Sequence, residues 1–239
     1  MRKHTAQNHL SRRNVLITLL LIVAPFLFLL LFSQLLEIAT GKLFLDVLVS
    51  VWRLAVAYIV AALLAWVWAV SFYRGRRATV ALPLFDVLQS FPTFATLPLA
   101  TLFLGRTNST VILFLVVTIV WPIFFSVISS LKRIERDWVE AVEIAGLKKR
   151  NYLRLFLWPA SVPGLITGSI IGLGEGWEAL VATEIIVRMD TGLGNFFQAF
   201  SDSPTITAFG ILGLLLITFA VNKLLWLPLL ERSHRTMEG

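Results

Sequence analysis

Cysteine is missing from all 239 residues. That excludes a disulfide framework, a thiolate nucleophile and any cysteine-based metal site. Histidine is confined to His4, His9 and His234, so no histidine metal centre can sit within the apolar runs that lie between them. Charge is scarce. Charged residues make up 15% of the chain against 57% hydrophobic, and the mean hydropathy is +0.82, which leaves too little polar surface for a soluble domain. A phosphate-cradling loop would need G-x-x-x-x-G-K-[ST]. The Gly41-Lys42 pair is followed by Leu43, so the chain has no nucleotide site of that kind. Nor do its halves show the inverted repeat common in gradient-driven carriers.

What is present is apolar length. Six runs, Val15–Leu36, Leu45–Phe72, Val80–Leu104, Thr110–Leu131, Pro159–Val187 and Ile206–Leu230, are each about 20 residues or more, enough to cross a hydrocarbon core of about 30 Å. The expectation is an all-α polytopic membrane protein with six transmembrane helices. Residues 1–14 would form a basic tail, 15–230 the membrane domain and 231–239 a second tail. The first run follows Arg2, Lys3, Arg12 and Arg13 as in a signal peptide. It is too long for one and lacks a small-residue cleavage site, so a retained anchor is expected.

The cations set an orientation. With the N-terminus inside, one side collects Arg2, Lys3, Arg12, Arg13, Arg74, Arg76, Arg77, Lys132, Arg133, Arg136, Lys148, Lys149, Arg150, Arg154, Arg232 and Arg235. The other side collects Lys42, Arg106 and Arg188. This bias places both termini in the cytoplasm. The net charge of +7 therefore describes topology and offers no sign of a nucleic-acid partner.

One polar stretch, "DWVEAVEIAGLKKRNYLRLFLWP" from Asp137 to Pro159, interrupts the grease on the cytoplasmic side. Trp138, Ala141, Val142 and Ala145 recur at i, i+3, i+4 and i+7, one helical face, with Arg136, Glu140 and Glu143 opposite. Gly146 should end that helix. A second short helical piece carrying Lys148, Lys149, Arg150 and Arg154 should follow, and Pro159 can open the next span. The pattern fits an amphipathic connector on the lipid surface or a docking element for a cytoplasmic partner.

Glu140, Ala141, Val142, Gly146 and Pro159 resemble the EAA…G…P signature of permease subunits of ABC importers. The segments "SVWRLAVAYIVAALLAW", "PLFDVLQSFPTFATLPLATLFLG", "GWEALVATEII" and "GLG" are similar to the nitrate/sulfonate/taurine-type permeases. Asp86, Pro92, Ala95, Pro98, Gly105, Trp177 and Glu184 stand where that pattern has them, over roughly residues 45 to 230. One departure follows Gly105, where "RTNST" replaces a second glycine. The resemblance implies a type I ABC importer permease fold in a bacterial inner membrane. It implies that the 137–145 helix is a coupling helix seated on a separate ATP-binding subunit, with Trp138, Glu140, Ala141, Val142, Gly146 and Arg150 at the contact. ATP and Mg would be bound by that partner, present in two copies, and this chain would carry no cofactor and perform no catalysis. A second permease copy, identical or homologous, and a periplasmic or lipid-anchored solute-binding protein complete the implied assembly.

Charges inside apolar runs are functional candidates by default. Those singled out are Arg53, Asp86, Glu175, Glu178 and Glu184. Asp86 lies about 9 Å from the cytoplasmic end of its run, and Glu184 should lie near the outer surface. Arg53 and Glu175 both fall in the outer half and could pair. Arg53, Glu175 and Glu178 could therefore line or gate a pathway, or form a buried pair with one snorkelling side chain. Gly164, Gly168, Gly172 and Gly176, with Ala57, Ala61, Ala65 and Ala69, make small-residue ridges suited to close helix packing, static or sliding. Pro92 and Pro98 could bend the third run or simply pack there. The transported solute stays open between anions and neutral or cationic compounds. A gradient-driven carrier or channel is the alternative function. A membrane enzyme would need a nucleophile–base pair or a metal cluster; the spans hold no His or Cys, and for a Ser–Lys arrangement they offer only Lys223, at the end of the sixth.

Overall fold

Long apolar sequence can hide its backbone polar groups in a membrane by winding into helix. In a computed structural model the described residues are 12–226 and 228–229, and among them there is no strand. Of the expected tails, 1–14 and 231–239, residues 1–11 and 231–239 lie outside the described residues, and 12–14 belong to the first helix. The helices are α1 (Arg12–Leu35), α2 (Thr40–Phe72), α3 (Gly75–Gln89), α4 (Thr93–Leu104), α5 (Asn108–Lys132), α6 (Arg136–Ile144), α7 (Lys149–Asn151), α8 (Trp158–Val187), α9 (Leu193–Ala199) and α10 (Pro204–Val221). Four stretches are long and apolar enough to cross a membrane: Thr40–Phe72, Asn108–Lys132, Tyr152–Val187 and Pro204–Leu224. The α3–α4 pair makes a fifth if it counts as one span. The expected first run falls on α1, whose described apolar part is Ile22–Leu35.

Two expected spans differ in detail. The third is not one helix, because α3 and α4 are bent by 80° at the break between them. Pro92 is the cause. It has no N–H to donate and pushes Phe91 out of helical conformation, and α4 restarts directly after it. Pro98 sits inside α4 without ending it, so of the two prolines Pro92 makes the bend. The fifth span begins upstream of Pro159. Residues Tyr152–Leu157 wind as π-helix and run straight into α8. Trp158 N–H donates to Leu153 O, five residues back, and Pro159 follows with no donor to place. The second short piece after Gly146 is thus the root of the span and no separate element.

α5 is the central helix, packed between α2 and α8. Ala57, Ala61, Ala65 and Ala69 of α2 are all fully buried, as a small-residue ridge at every fourth position should be. The glycine row of α8 lies directly on α5. A Cβ added at Gly164 would stand 2.5 Å from Ser126 O, and one at Gly168 would stand 2.5 Å from the Ile123 Cα. Backbones in such contact gain dispersion energy that any side chain would forfeit. Sparse hydrogen bonds fix register: Tyr58 Oη to Ser169 Oγ at 2.9 Å, Trp66 Nε1 to Ser161 Oγ at 2.9 Å and Ser130 Oγ to Ala160 O at 2.8 Å. Beyond the end of α2, Tyr73 and Tyr152 share a hydroxyl–hydroxyl bond of 2.9 Å. Burial first, and that bond second, push Tyr73 up to about 12. α1 and α10 form a peripheral pair joined through Phe32 and Phe209, whose ring centroids lie 5.1 Å apart.

Candidate functional site

Three features could carry function: a buried polar node, an open cavity and the exposed helix α6. The node forms where α2 meets the end of α8. Asp46, Ser50 and Arg53 recur at i, i+4 and i+7 on α2, in line with the alanine ridge, and all three are buried. Arg53 Nη1 meets Glu184 Oε1 at 2.6 Å, with the two side chains 1% and 0% exposed. Arg53 also donates to Thr191 O at 2.8 Å and, through Nε, to Asn108 Oδ1 at 2.9 Å. Glu184 accepts from Ser50 Oγ at 2.8 Å and from the Gly194 N–H at 2.8 Å. Asp46 accepts from the Gly192 N–H, and Ser50 accepts from the Leu193 N–H, each at 2.8 Å. The whole Thr191–Gly194 turn is therefore stapled to an ion pair whose lone pairs and protons are satisfied, the condition under which a buried pair is tolerated. Gly192 is required there. Its φ is +121°, and a Cβ would stand 2.6 Å from the Glu184 carboxylate.

The expected pairing of Arg53 with Glu175 is replaced by Arg53 with Glu184. The reason is helical phase. Glu175 and Glu184 are nine residues apart on α8, about two and a half turns, so they point to opposite sides. Glu184 shares its face with Trp177 and Leu180, both buried, and is itself fully buried within the protein. Glu175 and Glu178 are exposed, and Asp86 is exposed and accepts from Gln89 Nε2 at 3.0 Å. Asp46, Ser50 and Asn108 were not anticipated. The i, i+4, i+7 spacing of Asp46 and Ser50 with Arg53 was the available signal for the first two. Asn108 carried none.

The cavity lies where the α3–α4 break faces α5 and α8. Its volume is about 890 Å³. The break contributes Gln89 to Ala95, α5 contributes Val117, Thr118, Trp121, Pro122, Phe125 and Ser126, and α8 contributes Ile171 and Glu175. A smaller cavity of about 480 Å³ shares Phe125 and Ser126 with it and runs to Ser129, Ser130, Arg133, Pro163 and Thr167. The Pro92 bend thus borders two adjoining cavities along α5. Glu178, Arg53, Glu184 and Asp86 are not among its lining residues.

Helix α6 joins the end of α5 to the root of α8. Gly146 ends it with φ +61°, the left-handed conformation of a helix-terminating glycine. The expected apolar face of Trp138, Ala141, Val142 and Ala145 is turned outward except at Val142. Val139 is buried at 7% exposure and Val142 is half-buried, whereas Trp138 is 63% and Ile144 88% exposed. Ala141, Ala145, Glu140 and Arg150 are also exposed. Val139 anchors the helix, and Trp138, Ala141, Ile144 and Ala145 form an outward apolar strip. Sequence periodicity found a strip but assigned it Val142 in place of Ile144, because it could not say which side the protein itself covers.

Comparison with known proteins shows what family the chain resembles. Residues 59–227 match the family model described as binding-protein-dependent transport system inner membrane component. The chain is 30% identical over 183 residues to the nitrate import permease protein NrtB of Synechocystis sp. (strain ATCC 27184 / PCC 6803 / Kazusa), covering 73% of this chain and 66% of that one. It is 28% identical over 193 residues to the bicarbonate transport system permease protein CmpB of Synechococcus elongatus (strain ATCC 33912 / PCC 7942 / FACHB-805), covering 77% of this chain and 69% of that one. It is 28% identical over 159 residues to the taurine transport system permease protein TauC of Escherichia coli (strain K12), covering 66% of this chain and 57% of that one. The match thus spans about two thirds of the first two relatives and little over half of the third.

Proposed function

Since the chain belongs to the family of inner-membrane components of binding-protein-dependent transport systems, we propose that it is the transmembrane permease subunit of an ATP-driven ABC importer. In this reading it makes six spans with both termini in the cytoplasm. Two permease copies, two ATP-binding subunits and an external solute-binding protein form the working assembly. ATP and Mg are bound by the ATP-binding subunits, and hydrolysis occurs there.

The observation that carries the reading is α6. A short helix anchored by Val139 and held between two long spans presents Trp138, Ala141, Ile144 and Ala145 to the outside. Such a strip needs a cover, and a groove on a rigid cytoplasmic subunit would supply it. Glu140 and Arg150 flank the strip and can set register by charge. α6 is joined to α5 on one side and, past Gly146, to the continuous α7–α8 rod on the other. Closure of two ATPase subunits would then reach the cavity walls as a rigid-body movement of those helices.

Reconstituted vesicles holding the whole assembly test this. Uptake should require ATP and the ATP-binding subunit, and it should survive an uncoupler. Glu140→Trp or Gly146→Leu should leave the spans folded while ATP hydrolysis separates from uptake. Uptake that an uncoupler abolishes would mark a gradient-driven carrier instead.

A further inference from the structure

The wall of the larger cavity carries one charged side chain, Glu175, and no Lys, Arg or His among its lining residues. Arg53, the cation within the same region of the spans, is committed to Glu184 on the other face of α8, at 2.6 Å. Among the described residues no cation lies within ion-pairing distance of Glu175. The nearest acid along the helix is Glu178 at i+3, which adds to the negative potential. The same lining holds the aromatic rings of Phe91, Phe94, Trp121 and Phe125, and an aromatic face can attract a cation. Arg133 belongs to the smaller neighbouring cavity, where it is exposed at the end of α5 and donates to Ser129 Oγ at 3.1 Å, so solvent screens it from Glu175.

We infer that this cavity passes a solute bearing positive charge, with Glu175 as its charge-selecting residue. The inference rests on the permease reading above and narrows its substrate class. A fixed charge on the wall of a cleft raises the local concentration of its counter-ions. An anion entering here meets a carboxylate with no cation beside it among the described residues, whereas a cation meets it as an attraction. The relatives named for nitrate and bicarbonate move anions, so the prediction separates this chain from them.

The missing cysteines make a direct test possible. In membranes containing the full importer, Thr118→Cys and, separately, Thr93→Cys each place a single thiol in this chain on the cavity wall. Each is treated with a cationic methanethiosulfonate bearing trimethylammonium and with an anionic one bearing sulfonate. Rates are read by mass on this chain and normalised to those of a simple thiol in solution. The cationic reagent should react about tenfold faster or more, and Glu175→Gln should bring the ratio close to one. A normalised ratio of one or below, or a ratio that Glu175→Gln leaves unchanged, overturns the charge inference alone. Thiols that neither reagent reaches overturn the pathway reading on which it rests.

Discussion

Glu175 and Glu184 stand on one helix, nine residues apart, and have opposite surroundings. Glu184 is fully buried, paired with Arg53 and bonded to Ser50 and Gly194. Glu175 is exposed on a cavity wall with no cation beside it. One face of α8 stores charge as structure, and the other offers it to whatever enters. A carboxylate's position along a span says little about its use. Its phase around the helix says much more.

The comparison can be broken from its buried side first. Arg53→Leu leaves the Glu184 charge without a counter-ion in a dry site and should cost about 3–5 kcal/mol. Thermal unfolding of the detergent-extracted protein would show it. The double variant Arg53→Leu/Glu184→Leu should recover part of that loss. Recovery should stay incomplete, because the Gly194 N–H and Ser50 lose their acceptor. A double variant no more stable than the single one would mean that the pair itself matters less than the turn it staples.

Next in size is Gly168→Leu, on the packed flank of the same helix. The side chain would have to occupy space held by the Ile123 Cα, and overpacking of this kind costs about 3 kcal/mol. The expected outcome is a chain that fails to accumulate in membranes, measured by extraction yield. A variant that accumulates and binds the ATP-binding subunit, yet does not transport, would make the glycine row a sliding contact instead of a static one.

Ser50→Ala removes one donor to Glu184 and one acceptor for Leu193 N–H, with an expected loss of about 1–2 kcal/mol. The Thr191–Gly194 turn should show it first, as faster backbone amide exchange there than elsewhere in the chain. The smallest stability effect belongs to Glu175→Gln, within about 0.5 kcal/mol of the parent. Its effect should fall on uptake by the reconstituted importer. A large stability loss from this change would place Glu175 with Glu184 as a structural group and dissolve the contrast.

Much of the architecture was legible before any coordinates. The long apolar runs, the short helix ending at Gly146 and the small-residue ridges all follow helical periods, and period needs no tertiary information. The ridges were readable because a Gly or Ala every fourth residue admits few uses other than close approach. The break at Pro92 was readable as a candidate, but Pro98 carried the same local chemistry and made no break. The Arg53 partner was misassigned by counting depth along the spans and ignoring phase.

Sequence by itself determined that this chain is a bundle of membrane helices interrupted by one polar, helix-forming stretch, because apolar length and helical period are local properties. Tertiary structure alone decided which carboxylate is spent on Arg53 and which faces the cavity. It also decided that Val139, and not Trp138, is the buried face of α6. Those choices depend on which side of each helix its neighbours cover, and that is set by packing among helices distant in sequence.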